Sequence, residues 1–140
     1  MSELMADFQK LWRHGSRSFP FRESDFALHR FDEAAYSFIL LAYLRKTVNG
    51  GAVVGGQYAE GSGAVDISVR YEGKEYLIEV KLKYSYDKDS LSQLSGYLDD
   101  AGEEEGWLVV FDRDKAKSWD QKIFCKTEKF RNKTIHVFGC

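Results

Sequence analysis

The sequence predicts an α/β protein with a mixed central sheet. Apolar residues recur at helical spacing through the first third of the chain, and from about residue 52 the period falls to two. The run "GWLVVFD" is almost continuously apolar, as expected of a strand buried on both faces. The chain has 140 residues, 44% of them apolar and 15% aromatic, which bounds it to one folded domain, 1–140, with a real core. That composition excludes a disordered or fibrous chain.

The elements follow in order. "LMADFQKLWRHG" predicts a short amphipathic helix with Leu4, Phe8, Leu11 and Trp12 on one side and Gly15 as its stop. The only proline, Pro20, sits in the polar-aromatic connector "RSFPFRES". A long helix is expected from about Asp25 to Val48, with Phe31, Ala34, Ala35, Phe38, Leu41, Ala42 and Leu44 inward and "NGG" as its stop. "AVVGGQYAE" reads as a strand weakened by its glycines. "AVDISVRY" alternates Val65, Ile67, Val69 and Tyr71 against Asp66, Ser68 and Arg70. The turn "EGK" joins it to "EYLIEVKLKYS", making a hairpin. "DSLSQLSGYLDDAG" predicts a helix, with Ser90 and Gln93 as a capping box, Leu91, Leu94 and Leu98 inward, and Gly102 at its end. The "GWLVVFD" strand follows and is expected to run parallel to a neighbour. The tail "QKIFCKTEKFRNKTIHVFGC" reads as two strands around "FRNK", the first of which also suits a helix.

Charge and cysteine content narrow the function. The net charge is -2, but residues 113–133 carry eight Lys or Arg against three acids. Such a stretch is a solvated face or a phosphate-facing patch. Trp119, Phe124 and Phe130 lie among its lysines, where they either stack against a nucleic acid or close the sheet edge. Cys125 and Cys140 make no disulfide framework or zinc motif, and His136 alternates with Ile135 and Val137, which predicts an exposed side chain. The absence of a signal-peptide profile and of a membrane-length apolar run predicts a cytoplasmic protein without membrane contact. There is no GxxxxGK[ST], so this chain carries no P-loop.

One constellation stands out against the apolar strands. Period-two geometry puts Glu79 and Lys81 on the same face of one strand, about 7 Å apart. It puts Asp66 on the polar face of the partner strand, within about 5 Å of its cross-strand neighbours. Carboxylates that close repel unless a cation lies between them. Hard divalent ions are held by one or two carboxylates, water and a phosphate oxygen, and a neighbouring lysine can orient water or stabilise charge on phosphorus. The plain alternative is a solvated face on which Glu, Lys and Asp pair at the surface. Against it stand the low bulk of the "GSGAV" approach to Asp66, the apolar flanks Ile78 and Val80 of Glu79, and Gln93 and Tyr97, four apart on the next helix and off its leucine stripe.

D-x12-E-V-K followed by Q-x3-Y resembles the PD-(D/E)XK nuclease superfamily. Within it, "EAAYSFILLAYLRKTVNGGAVVGGQYAEGSGAVDISVRYEGKEYLIEVKL", "QLSGYLD", "GWLVVFDRD" and "KTIHVFGC" resemble the nuclease-like domain at the C-terminus of bacterial AAA-ATPase-like proteins. The resemblance implies a restriction-endonuclease-like αβββαβ core over about 25–112, with an extra N-terminal helix and a C-terminal β-hairpin. It implies Asp66, Glu79 and the Val80 carbonyl as ligands of Mg²⁺ or Mn²⁺, Lys81 as the catalytic lysine, and Gln93 and Tyr97 as supports of the site. Gln93, Tyr97 and Lys83 are the expected nucleic-acid contacts. Glu33 matches a further acidic residue beside the metal, or else serves only the helix dipole. Val65 stands where the superfamily's proline would be.

Three functions are compatible with these residues. The first is a Mg²⁺-dependent nuclease hydrolysing phosphodiester bonds, with DNA as the expected substrate. The second is a non-catalytic module that keeps the nuclease fold and binds nucleic acid. The third is a docking domain whose aromatics Trp12, Phe19, Phe21 and Phe26 meet an AAA-ATPase domain or a second copy.

Overall fold

The period-two segments assemble into one six-stranded mixed sheet in the computed structural model, which describes residues 1–18, 33–48, 50–60, 63–82, 87–114 and 116–140. In chain order the elements are α1 (Ser2–Ser18), α2 (Glu33–Val48), β1 (Val53–Glu60), β2 (Gly63–Tyr71) and β3 (Lys74–Leu82). Then follow α3 (Lys88–Ala101), β4 (Glu105–Phe111), α4 (Trp119–Lys122), β5 (Phe124–Phe130) and β6 (Lys133–Gly139). The spatial order is β1-β2-β3-β4-β6-β5. β4 lies parallel to both β3 and β6, while β1–β2, β2–β3 and β5–β6 are antiparallel. The start of the long helix before residue 33, the connector around Pro20, Phe19, Phe21, Phe26 and Lys83 lie outside the described residues.

Alternation along β4 shows how the layers form. Trp107, Val109 and Phe111 join the cluster built with Met5 and Phe8 of α1 and Leu40 and Leu44 of α2. Leu108 and Val110 face the other way, into the cluster with Leu91, Leu94 and Leu98 of α3. The sheet is therefore covered on both faces, as a parallel centre requires. Gly106 sits beneath α3, where a Cβ would come within 2.8 Å of Leu98 and 3.2 Å of Leu94.

Aromatic packing fixes the two N-terminal helices. Phe111 meets Trp12 at 5.1 Å and Tyr36 at 4.8 Å between ring centroids, so the end of β4 anchors both α1 and the first turns of α2. Trp12 thus caps the core and is not a free docking aromatic. Gln9, buried under α1, donates its amide to the carbonyls of Phe124 (2.8 Å) and Gly139 (2.6 Å) and ties α1 to the β5–β6 hairpin.

Several expectations need correction. α1 runs through Gly15 to Ser18, because a glycine that keeps helical φ is only a weak breaker. Met5, not Leu11, completes the buried stripe of α1; Leu11 is exposed. In α2 the inward residues are Ser37, Leu40 and Leu44, while Phe38 is 67% exposed. The cap of α3 is Asp87, whose carboxylate accepts the Ser90 N–H at 3.0 Å and the Ser90 hydroxyl at 2.9 Å. His136 is half-buried, its ring stacked on Trp107 at 5.2 Å, because β6 too is covered on both faces. The tail holds two strands preceded by the short α4. Among the described residues no helix is long and apolar enough to cross a membrane.

Candidate metal centre

The β2–β3 hairpin turns on Glu72 and Gly73, both with positive φ (50° and 78°), as a two-residue hairpin turn that matches the strand twist requires. From there the ladder pairs Tyr71 with Lys74 and runs to Ile67 opposite Ile78. Beyond that pair the backbones part. Asp66 Oδ2 accepts the Val80 N–H at 2.8 Å, so a carboxylate replaces the carbonyl that the ladder would have supplied. The side-chain alternation also slips here. Ile67 and Val69 point to the α1–α2 side, but Val65 joins the α3 cluster. Asp66 is the residue at which the strand changes face.

Glu79 follows the alternation of Leu77 and is 2% exposed; Lys81, two residues on, is 8% exposed. The Lys81 ammonium donates to Glu79 Oε1 at 2.6 Å and to Glu33 Oε1 at 3.0 Å. Glu33 opens α2, where the Phe111–Tyr36 packing holds the helix, and its Oε2 accepts the Leu82 N–H at 3.2 Å. The first helix turn is therefore pinned to the end of β3. Oxygens of Glu33, Asp66 and Glu79 lie within 4.8 Å of one another, and this group can hold a metal ion. Glu33 is thus drawn into the cluster and does more than favour a helix dipole.

The electrostatics of the cluster are out of balance. Glu79 Oε2 is buried and has no hydrogen-bond partner among the described residues. Burial pushes the Glu79 carboxyl up to about 7, helped by the Asp66 charge and opposed by Lys81. Burial also raises Asp66, with the Val80 N–H working against it. For Lys81 burial would lower the pKa, but the hydrogen bonds and charges of Glu79 and Glu33 outweigh it and the group is raised. Among the described residues the three carboxylates have one ammonium, Lys81, which bonds Glu33 and Glu79 and acts on Asp66 through its charge.

The remaining predicted residues stand at different distances from this cluster. A strand residue sends its N–H and C=O to the same edge. The Val80 carbonyl therefore faces the β2 side, where its N–H already meets Asp66. Gln93 and Tyr97 lie on α3, and the Gln93 amide donates to the Tyr97 hydroxyl at 2.9 Å. No hydrogen bond among the described residues links that pair to the carboxylates. Sequence reasoning missed Asp112, one residue past the Phe111 that pairs with Leu82. It binds Lys117 at 2.6 Å and shapes the loop at the same end of the sheet as Lys81. The "FDRD" run was its only trace. Comparison with protein-family models gives no match, and comparison with curated proteins gives none.

Proposed function

We propose that the chain is a metal-dependent phosphodiesterase domain of the PD-(D/E)XK type, acting on nucleic acid and on DNA in the first instance. The observation that carries this reading is Glu79: almost fully buried, one oxygen on Lys81, the other without a partner among the described residues and beside two more carboxylates. A buried polar atom left unpaired costs about 1–3 kcal/mol, more when charged. With all groups ionised, the described residues of the cluster are two charges short of neutrality. Two positive charges and a contact for Oε2 are what one hard divalent ion, Mg²⁺ or Mn²⁺, provides. The element order from α2 to β4, helix–three strands–helix–strand, agrees with a restriction-endonuclease-like core.

Asp66, Glu79 and the Val80 carbonyl would hold the ion, with Glu33 beside them. When bound, the ion polarises a phosphoryl oxygen and lowers the pKa of a water. The chain's own residues do the rest. Lys81 offsets the charge that gathers on the scissile phosphate. Gln93, Tyr97 and Lys83 contact neighbouring phosphates, and an AAA-ATPase domain or a second copy is the expected protein partner.

The test is titration calorimetry of Mg²⁺ and Mn²⁺ into the wild type, Asp66→Ala and Glu79→Ala, followed by cleavage assays on single- and double-stranded DNA and RNA. Binding in the wild type, its loss in both variants with unchanged circular dichroism, and cation-dependent cleavage are expected. Binding without cleavage of any substrate would reduce the domain to a nucleic-acid-binding module. No cation binding at all would remove the reading.

A further inference from the structure

The Lys81 ammonium already touches two of the three carboxylates that a divalent ion would share, at 2.6 Å from Glu79 and 3.0 Å from Glu33. It is the only counter-charge within the cluster among the described residues, and it sits on a flexible four-carbon stem. A divalent ion on the open Glu79 Oε2 would face the ammonium on Oε1 of the same carboxylate, a like charge at close range, which is unfavourable in a buried setting.

We propose that Lys81 is the resident counter-ion of the metal-free site, and that a divalent ion enters by displacing its ammonium from Glu79 and Glu33. This inference rests on the metal-dependent reading above and extends it to a built-in gate. The displaced ammonium is the group that becomes available to a phosphate. Ion binding and exposure of the lysine are thus one event, and by linkage whatever draws Lys81 out of the cluster tightens ion binding by the same factor. A phosphodiester that engages Lys81 therefore strengthens the hold on the ion. The metal-free domain keeps its lysine folded inward against Glu79 and Glu33.

Two measurements test this. The first is Mn²⁺ titration calorimetry on the wild type, Lys81→Met and Lys81→Gln. Loss of the competing charge should tighten Mn²⁺ binding about ten-fold or more in a folded variant. The second uses the wild type alone, so it does not depend on a variant folding. Brief acetic anhydride labelling with peptide mass spectrometry should find Lys81 protected without metal and several-fold more reactive with saturating Mn²⁺. If the wild type binds Mn²⁺ but the variants bind no tighter, or Lys81 stays protected at saturation, the gate is wrong while the metal site stands. If neither wild type nor variants bind Mn²⁺, the metal site fails and the gate falls with it.

Discussion

Two hairpins of this sheet begin alike and end differently. β5–β6 turns on Arg131 and Asn132, both with positive φ (47° and 65°), and pairs from Phe130–Lys133 to Phe124–Gly139 without a break. β2–β3 turns on Glu72 and Gly73 in the same manner but stops pairing at Ile67–Ile78, where Asp66 takes the Val80 N–H. The charged groups differ accordingly. On β5 the Lys126–Glu128 pair, at 2.9 Å, has side chains 44% and 31% exposed. On β3 the Glu79–Lys81 pair, at 2.6 Å, has side chains 2% and 10% exposed and leaves Glu79 Oε2 without a partner among the described residues. Both strands carry Glu and Lys two apart. Only the one beside an opened ladder buries them, and burial raises the cost of an unbalanced charge far above that of a surface ion pair.

The largest test of that contrast is on ion binding. Asp66→Ala removes both a proposed ligand and the group that holds the ladder open, so Mn²⁺ affinity should fall at least a hundred-fold by calorimetry. Glu128→Ala, the carboxylate of the closed hairpin, should change it less than two-fold. Equal losses would mean that binding is diffuse charge attraction and that the opened ladder is irrelevant.

Next in size is a pH dependence of stability in the metal-free protein. The Glu79 carboxyl is raised from the ordinary 4.5 to about 7 by burial first and by Asp66 second. A carboxyl with a raised folded pKa binds more protons in the native state than in the unfolded chain. Its favourable contribution is therefore full below about pH 4.5 and is lost as the pH rises to about 7. The raised Asp66 acts in the same direction. The raised Lys81 matters only above its ordinary 10.5, outside this window. Urea unfolding of wild type against Glu79→Gln should show a wild-type-specific loss of at most about 3 kcal/mol between these pH values. Saturating Mn²⁺ should abolish the wild type's loss with rising pH, because the ionised form is then the bound one.

How much of this was legible depends on whether one residue or its neighbours decided the outcome. The strands, the "EGK" turn and Gly102 follow from local chemistry, and so did the membership of Asp66, Glu79 and Lys81 in one cluster. The buried face of α2 did not. Its apolar residues surround the axis, so no stripe distinguishes Leu40 from Phe38, and the sheet makes the choice. Asp87 and Ser90 are both good caps; which one serves depends on where the chain leaves β3. The slip at Asp66 was invisible too, because strict alternation put Val65 beside Ile67. The structure sends them to opposite faces, and that slip lets a carboxylate lie in the ladder. Glu33 was legible as acidic and helix-initial, but its reach to Lys81 needed the Tyr36–Phe111 anchor.

A smaller effect separates function from stability at the opened hairpin. Glu79→Gln keeps the shape and removes the buried charge. At pH 8 without metal it should therefore stabilise the fold by about 1–2 kcal/mol in urea. The same variant should lose Mn²⁺ binding. Destabilisation with binding retained would mean that Glu79 is there for the Lys81 pair and not for a cation.

The smallest expected effect completes the comparison at the closed hairpin. A double-mutant cycle on Lys126 and Glu128, each to Ala, should give a coupling under about 0.5 kcal/mol, since exposed pairs gain little over water and are screened by salt. The corresponding cycle on Lys81 and Glu79 should give a coupling several times larger, because each single variant strands a buried partner. Raising the salt to 1 M should erase the first coupling and leave most of the second. If salt weakened both equally, the Glu79–Lys81 pair would be in contact with solvent, and the imbalance that favours a cation there would be gone.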